Sequence, residues 1–168
     1  MYLRIAGVEK ESVVDGPGLR YVIFVQGCEH DCPGCHNPQT HDRNGGETVE
    51  LAALLQDICS RKLLKGVTFS GGEPFLQARP LSILGRELKK RNYDIVTYSG
   101  YYFEELMAMS VRNPDIRNLL QVTDWLIDGP FIIGRRDLSL PYRGSTNQRI
   151  IDVAVSLKQG SLWQTKLA

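Results

Sequence analysis

Four short runs rich in β-branched and aromatic residues, separated by helical patterns, constrain this chain more than any other feature. Residues 19–26 (LRYVIFVQ) are almost wholly apolar, the mark of a strand buried on both faces. Residues 66–70 (GVTFS), 94–98 (DIVTY) and 124–128 (DWLID) repeat the theme, and residues 150–155 suggest one more strand. Between them lie helical stretches. Residues 48–64 place Leu51, Leu54, Leu55 and Ile58 at helical spacing behind a Thr48 N-cap; residues 81–91 place Leu81, Leu84 and Leu88 on one stripe. Residues 102–110 read as a further helix, and Asn113-Pro114 as a break. Strand and helix in alternation predict parallel strands joined by helical crossovers, an α/β fold. A complete eightfold barrel takes about 250 residues, so this chain holds either part of a barrel or a small open sheet. No repeat, low-complexity tract or linker divides it, and residues 1–168 read as a single domain.

In both architectures ligands gather at the carboxyl ends of the strands. The residues that follow the four runs are Gly27-Cys28, Gly71-Gly72-Glu73-Pro74, Ser99-Gly100 and Gly129-Pro130. Small or reactive residues at every strand end predict one site on one rim.

The first strand empties into Gly27-Cys28-Glu29-His30-Asp31-Cys32-Pro33-Gly34-Cys35-His36-Asn37. Cys28, Cys32 and Cys35 have C-x3-C-x2-C spacing, and all three histidines of the chain, His30, His36 and His41, lie in the same neighbourhood. Pro33 and Gly34 permit the tight reversal that lets three thiolates face a common centre. Soft thiolates select zinc, copper(I) or iron–sulfur clusters. Structural zinc prefers a closed set of four ligands, which here requires His30, His36 or Cys59 as the fourth. Three thiolates on a cubane leave one iron open for substrate. Cys59 stands at helical spacing with Leu51 and Leu55 and reads as a small buried hydrophobe outside this group. Glycines at 71 and 72 let a ligand approach the backbone closely, where carbonyls and the Glu73 carboxylate can accept from a cationic amine; an ordinary strand-to-helix turn is the plainer alternative.

Composition removes several classes. With 20 Lys and Arg against 19 Asp and Glu the net charge is +1, without the basic excess of a nucleic-acid binder. No apolar run approaches the ~20 residues of a membrane span, and the first residues lack a signal-peptide core. A cytoplasmic location follows, where thiols stay reduced.

The cysteine loop after the first strand and the Gly71-Gly72-Glu73-Pro74 turn after the second together resemble the radical S-adenosylmethionine (SAM) superfamily. The resemblance implies a partial (β/α) barrel of parallel strands, open on one side. It implies a 4Fe-4S cluster held by Cys28, Cys32 and Cys35, with the amino and carboxylate groups of SAM on the fourth iron. Gly71, Gly72 and Glu73 are then expected at the methionine amine. Gly34 and His36, flanking Cys35, are expected at the adenine, although many members carry an aromatic residue where this chain has Gly34. Ser99 and Asp128, at later strand ends, are candidates for SAM's carboxylate or ribose; a helix cap or a solvated turn explains either equally well.

Ser12-Val13-Val14-Asp15-Gly16-Pro17-Gly18-Leu19-Arg20 resembles the SxxDGPGxR lead-in of glycyl-radical-enzyme activases. The shortness of the chain, the CEHDCPGCHN loop and Gly144-Ser145-Thr146-Asn147-Gln148-Arg149 narrow the likeness to activases that serve an anaerobic ribonucleoside-triphosphate reductase. That family implies a partner, the glycine loop of the reductase large subunit, and a reducing partner such as flavodoxin. The chemistry is then borne by the cofactor, with no side-chain acid or base. Residues 147–149 read either as lining for the open edge of the site or as a surface turn. Two other readings stay open: a small radical SAM enzyme acting on a metabolite, and a zinc-binding adaptor.

Overall fold

A computed structural model describes residues 1–167. Strands β1 (Tyr2–Ser12), β2 (Arg20–Val25), β3 (Glu47–Glu50), β4 (Gly66–Gly71), β5 (Asp94–Tyr98), β6 (Trp125–Asp128) and β7 (Arg149–Asp152) form one open sheet in the order β3-β1-β2-β4-β5-β6-β7. The central four, β2, β4, β5 and β6, are parallel, as the alternating pattern predicts. Helices α1 (Leu51–Cys59), α2 (Ala78–Lys89), α3 (Phe103–Ser110) and α4 (Pro114–Val122) fill the crossovers, and α5 (Val153–Gln159) follows β7.

Side-chain alternation divides the sheet into two unlike faces. Tyr21, Ile23 and Val25 of β2, Val67 and Phe69 of β4, Ile95 of β5 and Leu126 of β6 point into the large core. Every helix adds its apolar stripe to that core: Leu54 and Ile58, Leu84 and Leu88, Leu106, Leu119 and Val153 among others. The intervening residues face the other way. There a small cluster of Val96, Ile127 and Ile150 gives way to Ser70, Phe24 and Tyr98, which line a cleft. Covering one face with helices leaves the opposite face and the carboxyl rim of the parallel strands for a ligand.

The outer strands depart from the sequence reading. β1 was not anticipated; its alternation of Leu3 and Ile5 is broken by Gly7 and then by Glu9-Lys10-Glu11, yet it pairs antiparallel with both β2 and β3. Thr48, expected as a helix N-cap, lies in β3 opposite Arg4, because β-branched Thr48 and Val49 suit the open edge that β1 offers. α1 therefore begins only at Leu51. The expected final strand, 150–155, is β7, antiparallel to β6, and it stops at Asp152, whose carboxylate caps α5 by accepting from Val155 N at 2.9 Å. Asn113 does mark a break, and it also caps an unanticipated helix, α4, by accepting from Asp115 N. Cys59 is exposed, not buried: it is the last residue of α1, and the buried stripe is Leu51, Leu54 and Ile58.

Arg20, fully buried, ties the lead-in segment to the parallel strands. Nε donates to Thr68 Oγ1 at 2.8 Å; Nη1 donates to Pro17 O and to Asp94 Oδ1 at 2.6 Å; Nη2 donates to Val67 O and Asp94 O. All five guanidinium N–H groups are spent. Thr68 Oγ1 in turn donates to Asp15 O, and Ser12 Oγ to Asp15 Oδ2. The Ser12…Asp15…Arg20 spacing is thus a folded knot that anchors one wall of the cleft. Removing one member of such a buried pair costs about 3–5 kcal/mol. Arg20→Ala should lower urea stability by about that amount, and Arg20→Lys should recover less than half, since an ammonium cannot reproduce the five-donor fork. Full recovery by lysine would show that charge alone matters.

Candidate functional site: a thiol cavity at the strand rim

The cysteine loop leaves β2 and returns before β3, and its ends are laced together. Gly27 N donates to Thr40 O at 2.7 Å, and Cys28 N to His41 O at 3.3 Å. Gln26 Nε2 donates to Gln39 O and Asp42 O, closing the neck. Within the loop the Cys-x2-Cys turn forms as Cys35 N donates to Cys32 O, and left-handed backbone at Asp31 and Gly34 reverses the chain.

Three half-buried thiols, none in a disulfide, line one hollow of about 130 Å³. Cys35 Sγ accepts the backbone N–H of Asn37 at 3.4 Å. Burial pushes the Cys28 and Cys32 thiols up, so a cation must compensate before they ionise. His41 Nε2 is buried on the same wall without a hydrogen-bond partner. A soft donor set around a hollow, with an orphaned polar atom beside it, fits a thiolate-held metal group. Among the described residues no three His, Cys, Asp or Glu side chains converge tightly enough for a single ion. A lone zinc needs its thiolates about 2.3 Å from one centre.

Of the expected fourth zinc ligands, His30 and His36 line the hollow and Cys59 does not. His30 Nε2 meets Glu73 Oε2 at 2.7 Å with its ring edge-on to Tyr101, and that hydrogen bond to Glu73 raises the imidazole above its ordinary range. Cys59 is not on the cavity wall. His36 lines the hollow with its ring tilted against Phe131 at 4.9 Å.

Gly71 and Gly72 form the opposite wall. Gly71 has φ +92°, and a Cβ on Gly72 would lie 2.2 Å from Gly27 O. The two glycines are therefore required for the β4 turn to pass beneath the cysteine loop, held there as Gly72 N donates to Val25 O and Glu73 N to Gly27 O.

Glu73 lies behind this wall, fully buried. Its carboxylate accepts from His30, from Ser99 Oγ at 3.0 and 3.1 Å, from Gly100 N at 2.9 Å and from Phe75 N at 3.0 Å. Ser99 reaches the cavity wall, but its hydroxyl proton is committed to Glu73. Asp128 is fully buried off the cavity, accepting from Phe103 N and, on both oxygens, from Arg149. Gly34 also lies off it, packed against Ile133 and Phe131. Of the sequence-derived candidates, the structure brings Cys28, Cys32, Cys35, His36, Gly71, Gly72 and Ser99 to one cavity and sets Gly34, Glu73 and Asp128 behind it. Phe131 and Tyr98 on the wall were not foreseen, whereas Gln148 takes the lining position that was one of the two readings of residues 147–149. A second cleft of about 640 Å³ adjoins this hollow and shares His36, Ser70, Tyr98, Phe131 and Gln148 with it, a volume in the range that admits a small-molecule ligand.

An open α/β sheet with a three-thiol loop and a diglycine turn meeting at the carboxyl ends of its parallel strands defines a protein built to hold a thiolate-bound inorganic group beside a ligand cleft. The family model of a 4Fe-4S single cluster domain matches residues 14–151. The chain belongs to that family, and within it to the anaerobic ribonucleoside-triphosphate reductase-activating proteins. It is 34% identical over 145 residues to the protein so named in Escherichia coli (strain K12), covering 82% of this chain and 90% of that one. The Pasteurella multocida protein is 36% identical over 149 residues, covering 83% and 90%. The protein of Enterobacteria phage T4 is 33% identical over 147 residues, covering 82% and 86%.

Glu73→Gln is the direct test of the buried carboxylate. An amide turns one acceptor into a donor facing other donors, at a cost of about 1–3 kcal/mol. Urea denaturation of the metal-free protein should show that loss, and amide exchange in the cysteine loop should accelerate. Unchanged stability would mean that the four donors are satisfied without the charge.

Proposed function

We propose that this chain is an iron–sulfur activase that reductively cleaves SAM and installs a glycyl radical on an anaerobic ribonucleoside-triphosphate reductase. The observation that carries the reading is the meeting of three free thiols and a diglycine turn on one cavity at the strand rim. The names of the relatives supply the partner. In this reading the whole of 1–168 is one radical SAM domain, and the open sheet, helix-covered on one face only, is a partial (β/α) barrel.

When bound, a 4Fe-4S cluster supplies one electron to the sulfonium of SAM, giving methionine and a 5′-deoxyadenosyl radical that takes a hydrogen atom from the partner's glycine. The residues of this chain bind, orient and exclude water. Cys28, Cys32 and Cys35 would hold the cluster, and three thiolates would leave room on it for SAM. Gly71 and Gly72, lacking side chains, bring backbone close to the methionine end of SAM. Glu73 locks their turn to the cysteine loop through His30, and reaches the amine only by exchanging one of its four donors. Ser99 stands on the wall within the same reach for SAM's carboxylate or ribose; Asp128 supports that end from behind through Arg149. His36, with Gly34 at its back, takes the adenine side, where Phe131 supplies the aromatic surface that Gly34 cannot. The 640 Å³ cleft beside the cavity is the entrance for the partner's glycine loop. Among the described residues no helix is long and apolar enough to cross a membrane. The reading includes a cytoplasmic location and a reducing partner such as flavodoxin.

Anaerobically prepared protein, mixed with reductant, SAM and the reductase, should give a doublet glycyl radical signal by electron paramagnetic resonance. SAM cleavage without that signal would point to a metabolite substrate. Cys28→Ala, Cys32→Ala and Cys35→Ala should each abolish SAM cleavage. Cys59→Ala should leave iron content and cleavage unchanged, and loss of iron in that variant would contradict the ligand assignment.

A further inference from the structure

Residues 129–148 form a strap between β6 and β7 that lies against the cysteine loop. The Phe131 ring is tilted against that of His36, with centroids 4.9 Å apart. Any side chain at Gly34 would run into Ile133 at 2.8 Å, and one at Gly144 would meet Phe131 at 3.0 Å and His36 at 3.2 Å. The strap and the loop are thus in close contact on both sides of His36.

Three consecutive side chains hold this strap. β6 and β7 pair antiparallel up to Asp128 opposite Arg149. Beyond that point the backbone ladder stops, but the register continues through side chains. Arg149 donates to Asp128 through Nε at 3.0 Å and Nη2 at 2.6 Å; Gln148 Nε2 donates to Gly129 O at 3.0 Å; Asn147 Nδ2 donates to Pro130 O at 2.8 Å. Gln148 does more than its neighbours. Its Oε1 accepts from Gly144 N at 2.8 Å and Ser145 N at 3.2 Å, so one amide joins the start of the strap to its end. It also lines both the thiol cavity and the adjoining cleft. Ser145, completely buried, accepts from Ile132 N inside the closed strap.

We propose that Asn147, Gln148 and Arg149 form a clasp that presses Phe131 against the cysteine loop, with Gln148 the positioning residue of the thiol cavity. The inference rests on the reading of Cys28, Cys32 and Cys35 as cluster ligands, and it gives the surface-turn segment at 147–149 a task. A strap held tight shields the cysteine loop and the group it holds from water, and one displaced from the loop exposes both.

Gln148→Leu removes both ends of the clasp at nearly constant volume; Gln148→Glu keeps the acceptor for Gly144 and Ser145; Gln159→Leu, on the exposed end of α5, controls for the change of residue type. In the metal-free full chain, amides of both 131–146 and 28–37 should exchange about tenfold faster in Gln148→Leu, the loss of roughly one hydrogen bond, with the β4 and β5 amides unchanged. Gln148→Glu should keep part of the wild-type protection and Gln159→Leu all of it. In iron-loaded protein, Gln148→Leu should lose iron to a chelator faster than wild type. Acceleration confined to 131–146 would overturn the coupling to the cysteine loop, and uniform acceleration across the sheet would reduce Gln148 to a general stabiliser. If wild-type protein takes up no iron and sulfide, the proposed function fails, while the exchange result on metal-free protein still decides whether the clasp exists.

Discussion

A carboxylate with no access to water must be satisfied by the protein around it, and the cost of leaving one unpaired is several kcal/mol. Glu73 is in that position. Its four donors come from three different places: the cysteine loop after β2, the end of β5, and its own turn after β4. The need to satisfy one buried charge therefore draws the thiol loop, the diglycine turn and the Ser99-Gly100 strand end to a common point. Without it, the loop carrying Cys28, Cys32 and Cys35 is held chiefly by its laced neck at Gly27 and Cys28.

Two further buried charges act in the same way at a greater distance. Arg20 fixes the lead-in turn to β4 and β5 on one flank of the cleft, and the Asp128–Arg149 pair fixes the end of β6 on the other. Arg149 extends outward to Glu104 and lies 5.1 Å from the centre of the Tyr102 ring. The helices supply bulk stability by burying their leucines against a single face of the sheet. The polar ties then determine where the strand ends point. Apolar burial is non-directional; a five-donor guanidinium or a four-acceptor carboxylate is not.

The parallel centre of the fold was legible because each of its strands is a dense apolar run closed by glycine or serine, and periodicity reports such runs well. The antiparallel periphery was not. β1 shows only two inward alternations before charged residues take over, and β3 is four residues of mixed polarity whose strand character depends on having β1 alongside. Cys59 illustrates the limit of helical spacing as evidence: the spacing is real, but the helix ends at that residue and leaves it in solvent. At the site, the three thiols, His36, the two glycines and Ser99 could be read from position after a strand. Which polar groups face the cavity and which lie behind it could not, since Glu73 and Asp128 have the right residue type at the right place yet spend their acceptors internally. Asn147 and Gln148 were ambiguous for the opposite reason: amides in a turn carry no periodic signal, and most of their partners are backbone groups that any residue could present.

The central claim is that three thiolates hold a four-iron cluster with one iron left for substrate. Mössbauer spectroscopy of protein loaded anaerobically with iron-57 and sulfide tests it most directly. The account predicts four irons per chain, one of which changes its isomer shift on addition of SAM while three do not. Four irons indifferent to SAM, or a colourless protein retaining a single zinc, would contradict it.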